Sequence, residues 1–186
     1  MHAATRTIPL IPLLIVALAP GASAQIKAAS STPSRRTETS VDLLRRRNLL
    51  FPVAGASITA CSDNFSEARD QQRLHHALDI PAARGTPVLA ADSGRIIKLH
   101  TSKAGGLMVY ATDPDERFIY HYAHLDHYRA GLSEGMTLTP GDTLGYVGTT
   151  GNAPPNVPHL HFAIFKSKNI LRWSRGTPIN PYLVFR

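Results

Sequence analysis

The chain has 186 residues, a formal net charge of +7, 7% aromatic residues and a single cysteine. That length suffices for one domain with a real core, and one cysteine excludes an intramolecular disulfide framework. No apolar run is long enough for an ordinary transmembrane helix, and no basic stripe is interleaved with aromatics, so a nucleic-acid partner is not expected.

The N-terminus reads as a targeting segment. Arg6, the short apolar stretch 8–20 and the small residues Ala22-Ser23-Ala24 have the layout of a secretory signal cleaved after Ala24. This predicts an exported protein of the periplasm or cell envelope. Residues 25–50 read as a flexible basic linker, with Lys27, Arg35, Arg36, Arg45, Arg46 and Arg47 against Glu38 and Asp42. Such a tail suits contact with anionic cell-wall polymer or a membrane surface. Within it, residues 41–50 predict a short helix leading into the domain. Residues 58–61, "ITAC", resemble a lipoprotein cleavage site, but they lie far behind the better-placed signal, so Cys61 is read as a domain residue.

From Phe51 to Arg186 the pattern changes. Residues 86–91, 94–102, 105–113, 116–125, 142–148 and 158–165 are short β-rich runs separated by Gly, Pro and Asp. Residues 113–116, "DPDE", suit a hairpin turn, and residues 65–74 suit a helical turn or two. The prediction is a single, mainly β domain over 51–186, built on a small antiparallel sheet.

Three clusters of potential ligands punctuate this domain. His75 and Asp79 form H-x-x-x-D ahead of a turn-like stretch. His124 lies in "YAHL", on the strand face that simple alternation gives to Tyr120 and Tyr122. His159 and His161 flank Leu160 in a strand, so the two imidazoles share one face. A pair of hydrogen-bonded core histidines would explain that last motif alone. Two imidazoles on one strand face also suit a metal site, as two ligands or as one ligand and a catalytic neighbour. Imidazole and carboxylate are good zinc ligands, and a catalytic zinc takes three protein ligands with a fourth position for water. Four histidines and one carboxylate exceed that need, so some of the five are expected beside the ion rather than on it. His76, His100, His121 and His127 are read as surface or structural, with His121 on the opposite face from His124. Asp63, Asn64 and Asp92 are read as turn residues.

The ordered series "HHALDI", "GTPVLAADSGRI", "YAHL", "GDTLGYVGTTG", "PHLHF" and "INPY" resembles the lysostaphin/LytM-type zinc peptidases, which cut peptides of bacterial peptidoglycan. The resemblance implies a small antiparallel β-sheet domain with one zinc ion (Zn2+) in an open groove. It implies that His75, Asp79 and His161 bind the zinc, and that His124 and His159 are catalytic, assisting water and stabilising the tetrahedral intermediate. Residues 148–151 would form a tight turn beside the groove. Two positions depart from the pattern: Ala77 stands where the family often has glycine, and Ala163 where it often has glutamate. The implied function is endopeptidase action on peptidoglycan stem peptides or cross-links. The competing function is a catalytically inactive wall-binding module or an activator of another wall hydrolase.

Overall fold

In the computed structural model, residues 38–69 and 73–186 are described. The segment 1–24 read as a signal and the stretch read as linker up to residue 37 lie outside the described residues, as do residues 70–72. In chain order the elements are α1 (Ser40–Arg47), β1 (Leu78–Pro81), β2 (Pro87–Leu89), β3 (Gly94–Ser102), β4 (Gly106–Thr112), β5 (Phe118–Tyr128), β6 (Thr137–Leu138), β7 (Thr143–Val147), β8 (His159–Lys166), β9 (Thr177–Ile179) and α2 (Pro181–Phe185). The domain is therefore mainly antiparallel β, as the sequence predicts.

The sheet runs β1-β8-β5-β4-β3-β6, and every pairing in it is antiparallel. The long strand β5 changes partner along its length. Residues 118–123 pair with β8, whereas Leu125 and Tyr128 pair with β7. β8 does the same on its other edge, meeting β1 first and then β9. These exchanges curl the sheet, which is what gives one of its faces a hollow. The β4–β5 turn is tied by Asp113, whose Oδ1 accepts from the Arg117 and Phe118 amides at 2.7 Å each.

Alternation divides the two central strands cleanly. Phe118, Tyr120 and Tyr122 of β5, and Leu160, Phe162 and Ile164 of β8, point into the main core with Leu78, Ile80 and Val109. Ile119, Ala123 and Phe165 point the other way, into a smaller cluster with Met108 and Tyr110. Burying a large side chain such as Phe162 stabilises the fold by about 2–3 kcal/mol. Tyr122 is a core residue, with its hydroxyl accepting from the Ala91 amide at 3.0 Å.

The stretch read as linker up to residue 50 includes folded structure. Thr39 caps α1 in a capping box with Asp42. Leu44 is fully buried in the main core, and the Leu50 amide donates to the Ala91 carbonyl at 2.8 Å. Three of the five arginines counted in the basic tail are engaged within the fold. Arg45 donates to the Leu183 carbonyl, Arg46 pairs with Glu38, and Arg47 pairs with Asp92. Residues 65–74, read as a helical turn or two, hold no helix among their described residues. Ala68 and Leu74 instead form an antiparallel bridge.

Candidate metal centre

The groove-facing side of β5 and β8 lines a cavity of about 800 Å³. On β8 the cavity receives His159, His161 and Ala163, the residues that alternate with the core trio. Across the strands, His161 stands opposite Asp79 of β1 and opposite Ala123 of β5. His75, just before β1, completes the group.

His75 Nε2, Asp79 Oδ1 and one His161 ring nitrogen converge. His75 Nε2 lies 3.0 Å from Asp79 Oδ1 and 3.0 Å from His161 Nδ1, and His161 Nδ1 lies 3.2 Å from Asp79 Oδ1. Each is oriented from behind. His75 Nδ1–H donates to the Asn64 carbonyl at 3.0 Å, which leaves the Nε2 lone pair facing the cluster. The Asn64 side chain accepts from the Asp79 amide at 3.3 Å, and Arg69 donates to Asp79 Oδ2 at 2.8 Å, so that Oδ1 is the oxygen presented. At these distances one proton on His161 Nδ1 serves both neighbours. Its relocation to Nε2 leaves two imidazole nitrogens and one carboxylate oxygen as acceptors around one point. That donor set fits a divalent transition metal such as zinc.

Two more imidazoles border the cluster. His124 Nδ1–H donates to the Thr150 carbonyl at 2.8 Å and His159 Nδ1–H to the Val157 carbonyl at 2.8 Å, so both present Nε2. Their rings are 5.0 Å apart, and His159 Nε2 is 3.8 Å from Asp79 Oδ1. Residues 148–151 hold His124 in place. Thr150 Oγ1 donates to the Leu125 carbonyl and accepts from the Leu107 amide. Gly151 has φ +81° and packs so closely on Gly106 that a Cβ would lie 2.3 Å from its nitrogen, which excludes any side chain there.

His124 does not share a face with Tyr120 and Tyr122, and His121 does not lie opposite it. His124 adopts φ +62°, and the β4–β5 register slips between Leu107 and Val109. Ala123 and His124 of β5 there oppose Met108 alone of β4. This bulge turns His124 out of the core and into the cavity that His121 also lines. His121 stacks on Tyr110, and its Nε2 is enclosed with no hydrogen-bond partner among the described residues. His76 and His100 also line the cavity, whereas His127 stacks on Tyr146.

The electrostatics follow from this packing. Burial alone would raise the Asp79 carboxyl, but hydrogen bonds and charge from His161 and His75 outweigh it and hold the pKa well below the usual range. Burial lowers His161 against the opposing pull of Asp79. Burial also takes His124 from 6.5 down to about 4, despite its bond to Thr150, so it is neutral at pH 7. Sequence reasoning missed Asn64, Arg69 and Thr150 as orienting groups. Asn64 was a turn residue in that reading, and no local signal marks a residue whose backbone carbonyl and side chain act 11 and 15 positions away.

A sequence profile described as peptidase family M23 matches residues 73–181, more than half of the chain. The L-Ala–D-Glu endopeptidase of Bacillus subtilis is 31% identical over 131 residues, covering 67% of this chain and 40% of that protein. The peptidoglycan DD-endopeptidase ShyC of Vibrio cholerae is 32% identical over 106 residues, covering 54% of this chain and 23% of that protein. This chain thus spans well under half the length of either relative. In structure, the catalytic domain of lysostaphin from Staphylococcus simulans superposes with a TM-score of 0.52 at 24% identity, over 78% of this chain and 98% of that domain. That likeness is one of fold.

Proposed function

The chain belongs to peptidase family M23, and from that premise we propose that it is an exported zinc endopeptidase hydrolysing peptide bonds in peptidoglycan stem peptides or cross-links. The observation that carries this reading is the convergence of His75, Asp79 and His161 on one point in the cavity that His124 and His159 also line. His75, Asp79 and His161 would hold the zinc. When bound, the ion supplies Lewis acidity, lowering the pKa of a coordinated water and polarising a peptide carbonyl.

The chain's own groups do the rest. His159 and His124 each offer Nε2 from a ring fixed at Nδ1 by a backbone carbonyl, and either can accept a proton from the attacking water. The imidazolium so formed can donate to the carbonyl oxygen as it gains charge, or to the departing amine. Arg69 keeps Asp79 Oδ2 occupied, so the carboxylate is not free to take a proton at that oxygen. Location in the periplasm or cell envelope rests on the signal-like N-terminus. Contact with anionic wall or membrane through Lys27, Arg35 and Arg36 is part of the same proposal, with all three residues outside the described structure.

The test is metal analysis together with turnover. The purified full chain should carry about one zinc, release peptides from purified sacculi, lose that activity to a chelator and regain it with zinc. A protein that binds zinc and releases no peptide would instead be the wall-binding module.

A further inference from the structure

The cavity extends beyond the reacting centre, and it leaves His161 as an unbroken row of rings. The His121 ring is 5.8 Å from that of His161. Tyr110 stacks on His121 at 4.3 Å with planes 10° apart. Trp173 leans on Tyr110 at 4.7 Å, and His100 on Trp173 at 5.0 Å. Trp173 and His100 are only partly buried, and both line the cavity, with Ser102 and Ser174 beside them.

The far end of this row is built rather than loose. Trp173 follows a short 3-10 turn, Ile170–Arg172, capped by the Asn169 side chain, which accepts from the Leu171 amide at 2.9 Å. Ser167 accepts from the Asn169 amide at 3.1 Å. Ile170 and Trp173 both pack on the Met108–Tyr110 cluster. The indole is thereby presented at a defined place.

The indole and the His100 imidazole, tilted against each other and backed by the buried Tyr110 ring, offer the cavity apolar ring faces with hydrogen-bonding groups along their border. The matching ligand has a flat face of C–H groups and a polar rim. Bacterial wall polymer contains one such component. Its stem peptides consist of small or charged amino acids without rings, whereas each amino-sugar pyranose shows a C–H face edged by hydroxyl and acetamido groups. We propose that the shelf formed by Trp173 and His100, backed by Tyr110, is a saccharide subsite. It seats an N-acetylated amino sugar of the glycan strand while the attached peptide reaches the His75–Asp79–His161 cluster. This inference rests on the wall-peptide reading above and adds to it a second point of recognition, through the sugar.

Trp173 is the only tryptophan of the chain, so its emission reports on the shelf directly. Titration of the full-length protein with the N-acetylglucosamine tetramer should give a saturable emission change, equally with and without chelator, since the shelf uses no metal. An alanyl-glutamate dipeptide at the same concentration should give none. By calorimetry, Trp173→Ala should weaken tetramer binding roughly tenfold or more, and Trp173→Phe should hold it within about threefold, since a ring face is kept. No saturable change, or an equal change with the dipeptide, overturns the subsite even if sacculi are hydrolysed. Tetramer binding by a protein that hydrolyses no sacculi upholds the subsite and removes the peptidase reading instead.

Discussion

Asp92 and Asp79 each stand at the centre of a polar cluster, and the two clusters are completed in different ways. Asp92 is buried and receives Arg47 Nε at 2.7 Å, the Tyr120 hydroxyl at 2.6 Å and the Ser93 amide at 2.9 Å. Its partners are all donors, and its counter-charge is part of the chain. That cluster fastens α1 to the sheet. Asp79 keeps one oxygen on Arg69 and turns the other toward imidazole nitrogens whose own N–H groups are directed to backbone carbonyls or shared. Both clusters contain an Asp and an Arg. What separates a structural ion pair from a ligand set is which atoms around the carboxylate are acceptors.

The comparison can be broken most forcefully at the acceptor-rich cluster. Asp79→Ala and His161→Ala should each reduce bound zinc from about one per chain to a trace and cut sacculus hydrolysis by roughly a thousandfold or more. Full zinc occupancy in either variant would sink the ligand assignment. Next in size are His159→Ala and His124→Ala, which should keep the metal and lose about a hundredfold to a thousandfold in rate. Loss of zinc from His159→Ala with retention in His161→Ala would reverse the roles of the two β8 histidines.

The donor-completed cluster should respond in stability alone. Asp92→Ala leaves the Arg47 guanidinium and the Tyr120 hydroxyl without their shared acceptor, and should cost about 3 kcal/mol in urea unfolding with zinc content unchanged. A change in zinc content would show that the two clusters are coupled. A gentler probe is pH. His124 has its pKa lowered from 6.5 to about 4 by burial, so folding favours its neutral form. The associated stability is complete above about pH 6.5 and is lost as pH falls toward 4. The urea midpoint of the metal-free protein should decline across that window, and His124→Asn should flatten the decline. The smallest effect is expected at the helix cap, where Thr39→Ala should cost about 1 kcal/mol. No measurable loss there would mean that α1 is held by its tertiary contacts, through Leu44, Arg45 and Arg47, rather than by its cap.

Much of the sheet was legible because strand periodicity is a local property. The runs at 94–102 and 158–165 correspond closely to β3 and β8, and the placing of His159 and His161 on one face follows from a period of two. Where the reading failed, the cause was non-local. The face of His124 depends on a bulge, and a bulge exists only in the register between two strands, so alternation along β5 alone put the residue on the face of Tyr120 and Tyr122 and set His121 against it. The linker boundary failed for a related reason. A three-arginine helix looks solvated until Asp92 and Asp113 approach it from the sheet.

The sequence by itself determined the residue types of the site, the order of its motifs and the class of the fold, because these reside in composition and short-range pattern. Tertiary structure alone brought His161 to Asp79 across 82 residues and to His75 across 86. It also recruited Asn64, Arg69 and Thr150 as orienting partners and laid Tyr110, Trp173 and His100 in one row. Hydrogen bonds and ring contacts of this kind depend on where the sheet curls and which strands exchange partners. That outcome is set by packing of the whole core, and no window of neighbouring residues contains it.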